Sequence, residues 1–182
     1  MSRQPSKLML CLLAILSPII GQAQTCDPAT IASTTPTSQF TDNGDGTVTD
    51  NKTGLMWKRC SEGQTWNNNT CTGIAAGYTW QNALKRAQVV NNGAGFAGKK
   101  DWRVPNIKEL RSIVERQCKA PAINLTAFPN TLSPTLFWSS SPTVLYGDND
   151  TKTAWVIYSD DGHGRWINKT NRALVRLVRG GL

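Results

Sequence analysis

TDNGDGTVTDNKTGLMW, running from Thr41 to Trp57, crowds five Asp or Asn residues and three glycines into a short span and then closes on an apolar-aromatic run. Two physical readings compete. Clustered carboxylate and amide oxygens suit Ca²⁺, a hard cation that collects oxygen ligands. Asn43-Gly44 and Asp45-Gly46 are also turn formers that accept positive φ, which makes the same residues a hairpin. The calcium loop of an EF-hand needs an oxygen ligand at its third position and a closing Glu at its twelfth. Counted from Asp42, those places hold Gly44 and Thr53. The spacing favours strand, turn and strand, with Thr47-Val48-Thr49 and Leu55-Met56-Trp57 as the strands.

Outward toward the N-terminus, residues 1–23 carry Arg3 and Lys7, an apolar run from Leu8 to Leu16, and Gly21-Gln22-Ala23. A basic start, an apolar middle and a small-x-small site predict a secretory signal peptide cleaved after Ala23. The apolar run is too short for a spanning helix, and no later stretch qualifies, so no transmembrane segment is expected in the mature chain. Gln24-Thr25 before Cys26 argues against a lipid anchor. The expected location is secreted or periplasmic. Residues 24–39, rich in Thr, Ser, Pro and Ala, read as an arm or linker, and residues 40–182 as one domain with room for a core.

Loss of the signal lowers the basic count from 20 to 18 against 12 acidic residues, a net charge of +6. It also leaves Cys26, Cys60, Cys71 and Cys118, an even count that in an exported chain predicts disulfides. Of three pairings, the sequence-adjacent Cys60 with Cys71 is favoured, leaving Cys26 with Cys118. No C-x-x-C is present, so thiol redox catalysis and zinc both lose their usual spacing.

Further along, Cys60 to Gly77 reads as a disulfide-closed loop. Trp80, Ala83, Leu84, Ala87 and Val90 fall at helical spacing behind a Thr79 N-cap, and Asn91-Asn92-Gly93 stops that helix. A second helix starts at the Asn106 cap, with Glu109 completing a capping box and Ile107, Leu110, Ile113 and Val114 as its buried stripe. Phe137-Trp138, Thr153 to Ser159, Arg165 to Asn168 and Arg172 to Arg179 read as strands. Two helices followed by strands predict α+β with a mainly antiparallel sheet.

Enzyme chemistry finds little support. His163 lies between two glycines after Asp160-Asp161, a turn composition with no nucleophile beside it. Ser139-Ser140-Ser141 lacks the Gly-x-Ser-x-Gly elbow, and no phosphate-binding glycine loop is present. Glu62, Glu109 and Glu115 single out no carboxylate pair, and Glu109 already has a capping role. No cofactor and no metal site is expected. Asp148-Asn149-Asp150 and Asp160-Asp161 read as loops rather than calcium ligands. Export argues against nucleic acid as a partner.

Binding has more material. Seven tryptophans accompany the cationic surplus. Lys108 and Arg111 lie on the second helix, and Arg172, Arg176 and Arg179 on the C-terminal strands; guanidinium forks suit sulfate, carboxylate or phosphate. Ordinary solvated pairs compete with that reading, notably Arg111 with Glu115 and Glu115 with Lys119. Inward alternation of Arg176 would make it a buried structural ion instead.

Five motifs then fall in order: DNGDGTVTDNKTGLMW from Asp42, DWRVPNIKEL from Asp101, FWSSSP from Phe137, AWVIYSDDG from Ala154 and VRLVRGG from Val175. Together they resemble the Lcl C-terminal domain family, named for the C-terminal domain of a collagen-like Legionella adhesin. The resemblance covers Phe40 to Gly181 and implies a C-type-lectin-like fold. It also implies a non-enzymatic, adhesin-like module that recognises anionic, sulfated polysaccharide at a cell surface. The alternative is a structural or assembly protein of the envelope with a protein partner. The sequence departs from the family's namesake in having no Gly-x-y stalk, and it lacks the Glu-Pro-Asn, Gln-Pro-Asp and Trp-Asn-Asp motifs of calcium-dependent lectins.

Overall fold

The structure, a computed structural model, describes residues 23–143 and 152–180. In chain order the elements are β1 (Thr25–Cys26), a 3-10 turn (Thr37–Gln39), β2 (Phe40–Asp42), β3 (Thr47–Asp50), β4 (Leu55–Lys58), β5 (Thr65–Asn67), β6 (Thr70–Thr72) and α1 (Trp80–Asn92). After these come α2 (Ile107–Ser112), β7 (Cys118–Lys119), β8 (Leu136–Pro142), β9 (Thr153–Tyr158), β10 (Gly164–Asn168) and β11 (Val178–Arg179). The expected signal peptide, all but Ala23, and the Asp148-Asn149-Asp150 cluster lie outside the described residues.

The Asp-rich segment is an antiparallel β2-β3-β4 meander, with its acids engaged in their own turns. An Asp42 oxygen accepts from Gly44 N–H at 2.9 Å, one on Asp45 from Thr47 N–H at 3.0 Å, and one on Asp50 from Lys52 N–H at 3.0 Å. These are Asx turns, in which the side chain supplies an acceptor to the backbone two residues on. Gly44 and Gly54 sit at φ +77° and +71°, where a Cβ would be strained.

Two antiparallel sheets organise the body: β11-β4-β3-β2 and β10-β9-β8. In the second, β8 and β9 are largely buried on both faces, and side-chain parity decides which residue goes where. Ala154 and Val156 join Trp138, Trp102 and the α1 residues Ala83 and Ala87 in one cluster. Phe137 and Ile157 join the α2 residue Leu110, with Ile113, Val114 and the meander's Trp57, in the other. Each helix thus covers one face of the same sheet. Residues 173–178 stitch the sheets together: Ala173 bridges Tyr78, Leu174 bridges Phe137 in parallel, and Val178 pairs with Trp57. The expected α+β class, the two helices and the mainly antiparallel pairing are all present.

Local signals placed both helices. Thr79 accepts from Asn82 N–H as N-cap of α1, and Asn106 with Glu109 forms the full capping box of α2. The second helix is shorter than its apolar stripe suggests; Ile113 and Val114 are buried beyond its end. The Cys60–Gly77 stretch is more ordered than a simple loop, because β5 and β6 form a hairpin within it.

Both disulfides are present, Cys60–Cys71 across 11 residues and Cys26–Cys118 across 92. The N-terminal segment is not a free linker. β1 pairs with β7, and the Gln24 amide donates to the carbonyls of Pro121 and Ile123 at 2.7 Å. Glu115, only 3% exposed, clamps the same arm. Its carboxylate accepts from Ser33 Oγ at 2.5 Å, from the N–H groups of Thr34 and Thr35 at 2.9 Å, and from Gln117 N–H at 2.9 Å. The anticipated pairs of Glu115 with Arg111 and Lys119 are therefore replaced by a cage of hydroxyls and amides. Burial works against ionisation there, but the hydrogen bonds from Ser33, Thr34, Gln117 and Thr35 outweigh it and bring the pKa from 4.5 to about 2.

Candidate functional site

The five cations singled out in the sequence do not form one patch. Arg176 is a correction: it is 1% exposed and cannot meet a ligand from the surface. It follows Leu174 and precedes Val178 on the α2-facing side, so parity carries it inward. Its guanidinium donates to the carbonyls of Lys58 and Arg59 and, at 2.9 Å, to Thr131 Oγ1, and it lies 4.7 Å from the Phe128 ring centroid. Burial alone pushes its pKa down to about 9. Arg176 is a structural cross-tie between the meander and the core.

Arg179 is committed to Asp101 by a fork, Nε to Oδ1 at 2.7 Å and Nη2 to Oδ2 at 3.0 Å. That pairing holds the Asp101 carboxyl below its ordinary range. Arg172 is exposed but folds back onto the Gly77 carbonyl at 2.9 Å, on the α1 side. Lys108 and Arg111 remain, exposed and three residues apart on α2, a spacing that puts them side by side.

Arg111 leads to the surface that sequence reading missed. Its guanidinium lies 5.9 Å from the Trp155 ring centroid on β9. Trp155 is the register partner of Trp166 on β10, and their rings meet edge to face at 5.7 Å. Trp166 is 50% exposed, unlike Trp57, Trp102 and Trp138, which fill the core. Gly164 makes room for the arrangement: a Cβ there would stand 2.4 Å from Arg111 Nη2, and its backbone is not in the left-handed region. On the opposite side of the strand, Arg165 stacks 4.0 Å from the Tyr158 ring centroid and pairs with Asp161 at 3.0 Å. Asp161 is held below the usual carboxylate range: burial opposes ionisation but is overcome by His163 N–H and Arg165. His163 itself is a surface residue beside Asp161 in the β9–β10 turn. The face thus offers a half-exposed indole, a second indole behind it, and beside them a guanidinium with no carboxylate partner among the described residues.

The larger grooves gather less charge. One of about 630 Å³ between α1 and α2 contains Arg103, which is already paired with Glu109 at 2.7 Å. Another of about 760 Å³, beside the Cys71 hairpin, is lined by Gln64, Asn130, Leu132 and Pro121.

The sequence model described as the Lcl C-terminal domain matches residues 46–179. The chain belongs to the Lcl C-terminal domain family. The match begins at Gly46 in the β2–β3 turn and ends on β11, so it takes in β3 and β4 of the meander, both helices and the aromatic face. No curated protein matches the chain. Membership in the Lcl C-terminal domain family points to an adhesin-like surface module. No described helix is long and apolar enough to cross a membrane.

Proposed function

We propose that this protein is an exported, non-enzymatic binding module of C-type-lectin-like kinship that recognises anionic, sulfated polysaccharide through the Lys108–Arg111–Trp155–Trp166 face. The observation that carries the reading is a guanidinium with no carboxylate partner among the described residues lying beside Trp155, whose ring meets the half-exposed Trp166. Sugar rings present apolar faces that stack on indoles, while sulfate and carboxylate groups match the planar fork of arginine. A net charge of +6 after loss of the signal would add long-range attraction. Two helices packed on opposite faces of one sheet support the lectin-like comparison.

The test is elution of the mature domain from immobilised heparin in a salt gradient, with and without EDTA. Retention well above about 0.15 M salt, weakened by Arg111→Gln and by Trp166→Ala and indifferent to EDTA, is the expected result. Elution at or below that ionic strength ends the polysaccharide reading. A protein partner in the envelope is the second reading, favoured by a strand edge, beside the same face, that has no pairing strand among the described residues.

A further inference from the structure

β10 is an outer strand of the β10-β9-β8 sheet, with no further strand beside it among the described residues. In the β9–β10 ladder, Tyr158 N–H donates to His163 C=O at one end, and Lys169 N–H donates to Lys152 C=O at the other. Antiparallel pairs alternate between hydrogen-bonded and non-hydrogen-bonded. The register therefore turns Arg165 and Ile167 toward β9 and leaves the N–H and C=O groups of Gly164 and Trp166 pointing outward. Among the described residues nothing meets those four groups.

Exposed edges are usually blunted by prolines, bulges or inward-pointing charges. β10, with the sequence GRWIN, has no proline and pairs with β9 without a register shift. Arg111 is the feature that selects an occupant. Because Gly164 has no side chain, the Arg111 guanidinium lies across its α2-facing side at the edge itself. A residue of an added strand opposite Gly164 would project on that same side, directly beside Arg111. The next alternate residue on that side would lie against the Trp166 ring.

We propose that β10 binds an extended, acidic peptide segment of a partner protein as a fourth strand of the β10-β9-β8 sheet. Backbone bonds to Gly164 and Trp166 supply the ladder, a carboxylate opposite Gly164 pairs with Arg111, and an apolar residue two positions away packs on Trp166. Charge complementarity decides between occupants: a second copy of this cationic chain would bring like charges together, whereas an acidic strand neutralises Arg111. The ladder uses the edge of the sheet, but Arg111 and Trp166 are shared with the proposed polysaccharide face, so this inference deepens the protein-partner reading and is told from the polysaccharide one by the backbone amides of Gly164 and Trp166.

The test uses a short synthetic peptide with a central glutamate among valines and threonines, and the same peptide N-methylated at alternate backbone nitrogens. Amide exchange and chemical shifts of the folded protein are followed by NMR. The unmodified peptide should protect the Gly164 and Trp166 amides, the methylated one should not, and Arg111→Gln should weaken binding by about tenfold. Equal binding of the methylated peptide would overturn the proposal, as would protection confined to another strand or no protection at millimolar peptide. Protection that appears without peptide as protein concentration rises would assign the edge to a second copy and also overturn it.

Discussion

Replacing Glu115 with glutamine should release the N-terminal arm and remove a defined part of the acid sensitivity of folding. The carboxylate collects hydrogen bonds from Ser33, Thr34, Thr35 and Gln117, which lower its pKa from 4.5 to about 2. A pKa depressed in the folded state stabilises the fold above the unfolded value, and that stability drains as pH falls through the folded value. The shift corresponds to about 3 kcal/mol, fully present near neutral pH and lost between roughly pH 4.5 and 2. Glutamine keeps the shape but turns an NH₂ group toward donors, so Glu115→Gln should cost about 2 to 4 kcal/mol near neutral pH. Urea unfolding of both proteins at several pH values between neutrality and about pH 2.5 measures the difference. The gap between wild type and variant should narrow steadily below about pH 4.5. A gap that stays constant with pH, or a variant as stable as wild type at neutrality, would refute the assignment of Glu115 as the ionised clamp of the arm.

Other outcomes follow from the same structure. Arg176→Met should lower stability by about 1 to 3 kcal/mol in urea unfolding, because the carbonyls of Lys58 and Arg59 lose a donor, while heparin retention stays unchanged. Gly164→Ala should leave the melting temperature within a few degrees of wild type, since the clash is with the flexible end of Arg111. It should nevertheless reduce heparin retention by moving that guanidinium off Trp155. Removal of the Cys26–Cys118 bridge should cost about 4 to 5 kcal/mol in the chain-entropy account, against about 3 for Cys60–Cys71. Hydrogen exchange should then rise in residues 24–35 more than in β8 and β9.

Much of the fold was legible because its signals are local. The Asx turns at Asp42, Asp45 and Asp50, the Thr79 cap and the Asn106–Glu109 box each close within a few residues, and hairpin and helix follow from them. Arg176 was legible only in part. Alternation along residues 173–178 was plain, but both sides of that segment are buried, Ala173, Val175 and Leu177 on one and Leu174 and Val178 on the other. A polar residue there has no solvent side to default to, so its exposure could not be read from pattern. The Glu115 cage joins residues some eighty positions apart, and nothing local announces it. The aromatic face was closer to reach. Folding AWVIY back on GRWIN about the Asp160-Asp161 turn sets Trp155 opposite Trp166, the observed register. What the sequence could not supply was the placement of α2 over that pair, which brings Arg111 into it.

Indole N–H resonances of residues 24–182, followed by NMR during titration with a heparin oligosaccharide, test the proposed binding face most directly. The account predicts that Trp166 moves most and Trp155 with it, while buried Trp57, Trp102 and Trp138 stay in place. Shifts centred instead on Trp80, beside Lys169 on the α1 side, would contradict it, as would no indole shift at saturating oligosaccharide.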